Sequence, residues 1–332
     1  MLSPLAPTAR PGRLRAAALL AAAAVLALGA CDTGNSFAPS EDAPPAVEAA
    51  AATTDPGFAV TPPGRILFAS YRSGHSSVYT MDPNGANVFR VTNVAGDMEP
   101  AWSWDHKQIA LIRPRWNGEF YPLDVYIVNA DGKNGHWARP YASSAWGFRE
   151  PSWSPDGSRI VVRIDVTNTG SHYVAWIDLA TGTLKFFNPG IEGTAPSFDK
   201  AGQRIVYVGK TEKTIEQVNA DGSGHKTRVT GTTTVMHPTF SPDGKKILFT
   251  RMLPGFNREI FVKDLTTGTT QRLTNSSAID DNASWSPDGT RIAFTSNRVT
   301  VGKYQIYTMS PTGANVVQIK TDSTDWEPSW SH

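Results

Sequence analysis

Glu150-Pro151-Ser152-Trp153-Ser154-Pro155-Asp156-Gly157, running on through Ser158-Arg159 into Ile160-Val161-Val162, is the stretch that decides the fold. It returns as Pro238-Thr239-Phe240-Ser241-Pro242-Asp243-Gly244 ahead of Ile247-Leu248-Phe249, and as Ser284-Trp285-Ser286-Pro287-Asp288-Gly289 ahead of Ile292-Ala293-Phe294. Worn copies are Pro100-Ala101-Trp102-Ser103-Trp104-Asp105 and Pro196-Ser197-Phe198-Asp199, and Glu327-Pro328-Ser329-Trp330-Ser331 stands last. Each copy reads as a strand, a turn and a strand. An aromatic strand enters, Pro presets its own φ, Asp tolerates the third turn position and Gly takes the left-handed one. A strand opening on Ile then leaves, at Ile66, Ile109, Ile160, Ile205, Ile247 and Ile292.

The aromatic positions Trp102, Trp153, Phe198, Phe240, Trp285 and Trp330 step by 51, 45, 42, 45 and 45 residues. Third strands follow, such as Val78-Tyr79-Thr80-Met81 and Ile306-Tyr307-Thr308-Met309, and then a second turn such as Asn129-Ala130-Asp131-Gly132. Those Asp/Asn/Gly turns lack the further carboxylates of a calcium loop, and turn formation accounts for their residues. Four short strands per period predict an all-β fold: a six-bladed β-propeller of four-stranded antiparallel blades. The first repeat has no aromatic entry strand. Trp326 to Ser331 is expected to supply it, so that the C-terminal strand completes blade one and removes the open edges. Phe58 to Val60 is the competing inner strand, without the Glu-Pro-x-Trp signature.

Ahead of the repeats the composition changes twice. Residues 1–30 carry Arg10, Arg13 and Arg15 before the apolar run Ala16 to Leu28, the pattern of an export signal too short to span a bilayer stably. Leu28-Gly29-Ala30-Cys31 resembles the bacterial lipobox, which implies acylation of Cys31 and an exported, membrane-anchored lipoprotein, periplasmic or at the cell surface. Cys31 is the single cysteine, so no disulfide forms within one chain. Residues 31–64 read as a disordered Ala/Pro-rich tether, with five acidic residues and no Lys or Arg. As a flexible coil it would span roughly 30 Å. Residues 65–332 form the propeller; their 28 basic and 25 acidic residues leave no basic stripe, which argues against a nucleic-acid partner.

Trp-Ser-Pro-Asp-Gly, an Ile-Ala-Phe strand, then Ile-Tyr-x-Met and Asp-Gly together resemble the TolB-type propeller repeat, over essentially all of Arg65 to His332. The resemblance implies a six-bladed module; it implies no single activity, because one fold hosts many functions. A tether and lipobox stand where TolB proteins carry an α/β domain, which points to a stand-alone lipoprotein.

The loops linking blades end just before the innermost strands, so their last residues should ring the central channel: Glu99, Glu150, Ala195, His237, Asn282 and Glu327. Asp97, Asp280, Asp281 and Asp325 lie close by, and Arg72, Arg113, Arg115, Arg163, Arg251, Arg258 and Arg298 stand further out. Carboxylates there either cap strands and pair with arginines or form a polar mouth for a peptide, a partner's loop or a divalent cation. The candidate binding residues at the mouth are Asp97, Glu99, Glu150, His237, Asp281, Asn282, Asp325 and Glu327. An aromatic-basic shoulder is expected from the longest repeat interval, with Arg113, Arg115, Trp116 and Tyr121, joined by Trp146 and Arg149. The bland alternative has Trp116 and Trp146 folding down as lids on their own blades.

No Gly-x-Ser-x-Gly elbow and no zinc spacing among the seven histidines is present. No catalytic residue or cofactor is therefore assigned. The expected function is a monomeric binding module, anchored to the membrane, that takes an envelope protein or peptide at the channel mouth. The alternative is a metal-assisted carbohydrate lyase or hydrolase acting at the same mouth, with His237 as the one histidine there.

Overall fold

The computed structural model describes residues 64–330 apart from 117, 119–120, 141–145, 168, 301 and 320–322. The expected signal over 1–30, the tether up to residue 63 and Cys31 lie outside the described residues. Among the described residues no helix is long and apolar enough to cross a membrane.

The Ser-Pro-Asp-Gly hairpins form as read, with one addition. Ser154 Oγ donates to Asp156 (2.6 Å) and accepts the Arg159 amide (2.9 Å), while Asp156 accepts the Ser158 amide (3.0 Å). Ser241/Asp243 and Ser286/Asp288 repeat the arrangement with the same serine–aspartate distance of 2.6 Å. The serine therefore satisfies the first amide of the departing strand, a task the turn reading had left to backbone alone. Gly157, Gly244 and Gly289 take φ of 70°, 66° and 69°, as the turn requires; in the worn copy His106 takes φ 59° in glycine's place.

All sheets are antiparallel. Four are separate four-stranded blades, and each leads with the strand that carries the repeat aromatic: Asp325–Trp330, Met98–Trp102, Val235–Phe240 and Asp280–Trp285. The remaining strands do not divide into two further separate blades as the repeat predicts. They make one seven-stranded sheet, because Thr183–Phe198 runs unbroken between two sets of partners. Its first part pairs with His172–Asp178 and its last part with Arg204–Gly209. After a register shift that skips residues 187–190, Ile191 and Glu192, where a linking loop was expected, again pair with Val174 and Tyr173, so the strand continues into the next set of partners.

Closure follows the expected register. Asp325–Trp330 pairs antiparallel with Ile66–Ser70, joining Trp330 to Ile66 and Asp325 to Ser70. Trp330 Nε1 donates to the Gly64 carbonyl (2.6 Å), and the Arg72 guanidinium bridges to Asp325 (3.0 Å). The core lies between neighbouring sheets, in six buried clusters; the one at the closure packs Ile66, Phe68 and Met81 against Ala293, Ile306 and Trp330.

Deleting 325–332 should lower the stability of the whole domain and not merely fray one end, since Trp330 is almost fully buried and its strand closes the ring. The point variant Trp330→Ala alone should cost about 3–5 kcal/mol. Thermal and urea unfolding of the two variants beside the parent measures both effects; a truncated domain that melts like the parent would refute the closure.

Candidate functional site: the central channel

Every leading strand breaks register at the same place. The shifts fall between Met98 and Ala101, Arg149 and Ser152, Thr194 and Ser197, Met236 and Thr239, and Asp281 and Ser284. In the closing strand the break lies between the residues paired to Trp326 and Ser329. The extra residues are Glu99-Pro100, Glu150-Pro151, Ala195-Pro196, His237-Pro238, Asn282-Ala283 and Glu327-Pro328. Proline suits a bulge because it has no amide to leave unpaired. The first residue of each pair takes φ between 50° and 55°. A non-glycine residue held there costs on the order of 1 kcal/mol or more, and six such positions mark a site where backbone strain is concentrated.

These six residues line a cavity of ≈ 240 Å³ on the propeller axis, together with the prolines that follow them and Ser152, Ser197, Thr239, Ser284 and Ser329. The predicted ring is therefore assembled. Its glutamates form a relay with one direction. Glu327 accepts the Glu99 amide (2.7 Å), Glu99 accepts the Glu150 amide (2.6 Å), and Glu150 accepts the Ala195 amide (2.6 Å). Ala195 has no acceptor to continue it. On the far side His237 Nδ1 meets Asp281 at 3.0 Å, and Arg258 bonds the other oxygen of Asp281 at 2.6 Å.

The charges differ according to their partners. Glu99 bonds Arg149 at 2.8 Å and Glu150 lies 3.6 Å from Arg163, whereas no cation within ion-pair distance of Glu327 is found among the described residues. Burial, reinforced by the neighbouring Glu99 charge, pushes the Glu327 carboxyl up to about 8. Burial also pushes Glu150 up, partly offset by Arg163 and His237. Burial pulls His237 down, but Asp281, Glu150 and Glu327 outweigh it and hold the imidazolium to about 9. Asp281 stays well below the ordinary carboxylate range despite its burial, because His237 and Arg258 face it.

The other predicted mouth residues are elsewhere. Asp97 and Asp325 are fully buried, one gripped by Arg113 through two bonds of 2.7 Å and the other by Arg72, so neither faces the lumen. Asp281 is almost as buried and is spent on His237 and Arg258. The shoulder also divides. Trp116 and Tyr121 meet in a tilted ring contact, centroids 4.7 Å apart at 41°, and stand 55% and 53% exposed. Arg113 and Arg115 instead turn inward, to Asp97 and Asp124, and Arg149 reaches into the channel to Glu99. Trp146 packs on the apolar cluster between its own blade and the previous one and meets Phe186 edge-on at 5.8 Å, which is the lid geometry. Two exposed aromatics on the same face were missed: Phe256, 81% exposed on a short turn, and Tyr71, tilted against Trp326 at 4.8 Å. Only the loop length around Leu253-Pro254-Gly255-Phe256 could have signalled the first.

Among the described residues no group of three or more His, Cys, Asp or Glu side chains converges so as to hold a metal ion. The ring glutamates each spend an oxygen on a neighbour's amide, a backbone-fastening role.

This is a β-propeller with a polar, strained ring at its axis. The family described as TolB beta propeller domain (PD40) matches residues 223–332. The chain is 28% identical over 226 residues to the Tol-Pal system protein TolB of Francisella tularensis subsp. mediasiatica (strain FSC147), a match that takes in 53% of this chain and 52% of that one. It thus spans about half the length of the curated relatives it matches. Among solved structures, TolB from Acinetobacter baumannii superposes with a TM-score of 0.68 at 20% identity, over 81% of this chain and 66% of that one. An oligogalacturonate lyase in complex with manganese gives 0.53 at 14% identity, over 76% and 73%. These likenesses carry the fold: the described domain is a TolB-like β-propeller.

Glu327 binds its proton more tightly folded than unfolded, so stability falls as pH rises from its ordinary value of 4.5 to about 8. His237 contributes stability that is complete below 6.5 and is lost as pH climbs through about 9. Both slopes have the same sign, and Asp281 supplies the opposing acid limb below the ordinary Asp range. Melting temperatures across pH 4–10 should therefore peak on the mildly acidic side. Glu327→Gln should flatten the fall between 4.5 and about 8, and His237→Gln the fall between 6.5 and about 9. Parallel curves for parent and variants would contradict the assignment.

Proposed function

We propose that this chain is a membrane-anchored extracytoplasmic binding module, a monomer that takes a protein or peptide partner of the cell envelope at its channel mouth. The observation that carries the reading is the Trp116–Tyr121 pair, in tilted ring contact at 4.7 Å yet more than half exposed on a connection with no counterpart of that length in the other repeats. Rigid aromatics already ordered by contact with each other make good anchors for a partner. Beside them the axis is built to stay still: of six strained backbone positions, three have their amides tied to a neighbouring ring carboxylate. In this reading the seven-stranded sheet serves as two blades sharing Thr183–Phe198. Six sectors then surround the channel, in keeping with the six clusters between sheets. Similarity to proteins named for the Tol-Pal system supports an envelope partner. The metal-assisted lyase reading draws on fold likeness to the manganese-bound lyase, and it is weakened by ring carboxylates already engaged with amides and arginines.

Trp116→Ala or Tyr121→Ala should weaken capture of the partner by about 1–4 kcal/mol with little change in melting, whereas Ser158→Ala on the opposite face should leave capture intact. Cross-linked pull-downs from envelopes followed by titration of the captured protein measure this. The reverse pattern would mean the wrong face was chosen. Cys31→Ser should move the protein from the membrane fraction to the soluble exported fraction, because acyl chains supply the burial that the tether lacks. Unchanged fractionation of that variant would remove the anchor.

A further inference from the structure

One position recurs around the propeller and is completed in all but one of the sheets that use it. Two residues before the ring residue, the leading strand faces the end of its neighbour. There Asp325 pairs with Ser70, Asp280 pairs with Ser296, and Asp97 faces Arg113 one step beyond the Met98–Ile112 pair. Each of these aspartates is fully buried, and each holds a guanidinium: Arg72 at 3.0 Å, Arg298 at 2.8 Å and Arg113 at 2.7 Å. Each guanidinium also lies over aromatic rings of its own sheet, as Arg113 does over Tyr126 at 3.8 Å and Arg298 over Tyr307 at 4.9 Å.

Arg251 repeats everything except the acid. It lies over Phe249 and Phe261, at 5.4 and 5.1 Å, and it pairs across the ladder with Val235, which is fully buried. Among the described residues no carboxylate lies within ion-pair distance of it, and its Nε is buried without a hydrogen-bond partner. Glu259 sits opposite on the third strand; its Oε1 is taken by Arg272 (2.8 Å), the Ser276 amide (2.8 Å) and Asn257 (3.1 Å), and its Oε2, buried without a hydrogen-bond partner, is not within ion-pair distance of Arg251. Gly231 has no side chain to cover the guanidinium: a Cβ there would stand 3.7 Å from Nη2. A planar fork of five donors, desolvated on one side and unmatched, favours a bidentate carboxylate above other ligands. Burial lowers the proton affinity of Arg251, in keeping with a cation that lacks its counter-charge.

We propose that Arg251, half-buried, receives from its open side a carboxylate of an acidic segment of the partner peptide, which supplies the counter-charge that Asp97, Asp280 and Asp325 supply in the other sheets. This rests on the reading of the mouth as the peptide-binding face. The protonated His237 on the same leading strand as Val235 adds positive charge to that sector, while Glu99, Glu150 and Glu327 stand across the channel. An acidic segment would thus lie along this blade and away from the glutamates.

The test uses the whole propeller chain and a fluorescein-labelled hexa-aspartate peptide with both ends capped, with a hexa-asparagine peptide and free acetate as the other arms. The parent should bind the aspartate peptide in a salt-sensitive manner and bind the asparagine peptide at least ten-fold more weakly. The Nε–Hε resonance of Arg251 should move on titration. Val235→Asp restores the missing acid from within, so it should melt no lower than the parent and lose at least ten-fold in affinity. Arg251→Met should lose the same, and Arg251→Lys should recover part of it. Acetate moving the resonance as fully as the peptide at equal concentration, no peptide binding by the parent, or undiminished binding by V235D and R251M would each overturn the proposal. Envelope partner capture that survives V235D but is lost in Trp116→Ala would overturn the role of Arg251 while leaving the mouth as the binding face.

Discussion

The antiparallel pairing of Asp325–Trp330 with Ile66–Ser70 is the contact on which the rest of the molecule depends. A radial array of sheets buries its apolar faces only between neighbours, so an open array leaves two faces and two strand edges in water. Here the two ends of the domain share one sheet. The Trp330 indole bonds Gly64, the Tyr71 amide bonds Thr324, and Arg72 holds Asp325 across 253 residues of chain. The cluster formed at that seam draws side chains from the first strands and from the last.

Closure brings six bulges to one axis, and there a local cost becomes a shared constraint. Each left-handed residue is unfavourable taken alone, and each glutamate that fastens its neighbour's amide offsets part of that cost. The relay runs from Glu327 through Glu99 and Glu150 to Ala195, so its start holds a carboxylate without a cation. Burial and the neighbouring Glu99 charge make Glu327 keep its proton far above the ordinary range, while His237 across the lumen is held charged. The channel is thus polar but mostly occupied with its own backbone, and exposed aromatic side chains stand on loops around it. Trp116, Tyr121, Tyr71 and Phe256 are exposed there.

The buried Asp–Arg pairs are a second repeated device. An isolated buried ion pair adds little net stability, because desolvation consumes the attraction. With the guanidinium stacked on aromatic rings and bonded in two places, as Arg113 is, the pair instead pins a strand end at the mouth. Val235 in place of the acid leaves Arg251 as the single member of this set whose charge is unanswered among the described residues.

The all-β architecture, the strand order and the C-terminal closure were legible in the chain because turn chemistry and a near-constant period are local properties. Ser154-Pro155-Asp156-Gly157 folds as a hairpin whatever surrounds it, and Trp326 to Ser331 carries the signature that the first repeat lacks. The six ring residues were legible too, since register alone aligns Glu99, Glu150, Ala195, His237, Asn282 and Glu327. What each of them does was decided by contacts between residues far apart in the chain. Asp97 and Asp325 read as mouth acids, yet arginines across the sheet draw them into the interior; Trp146 read as a shoulder, yet it covers its own blade. Whether Thr183–Phe198 breaks into two strands depended on Ile191 and Glu192 finding partners in the preceding strand, which no local propensity states. Period and turn residues thus determined where the backbone goes, and only the closed ring determined which charges remain free, because ion pairing is settled by distances across strands rather than along them.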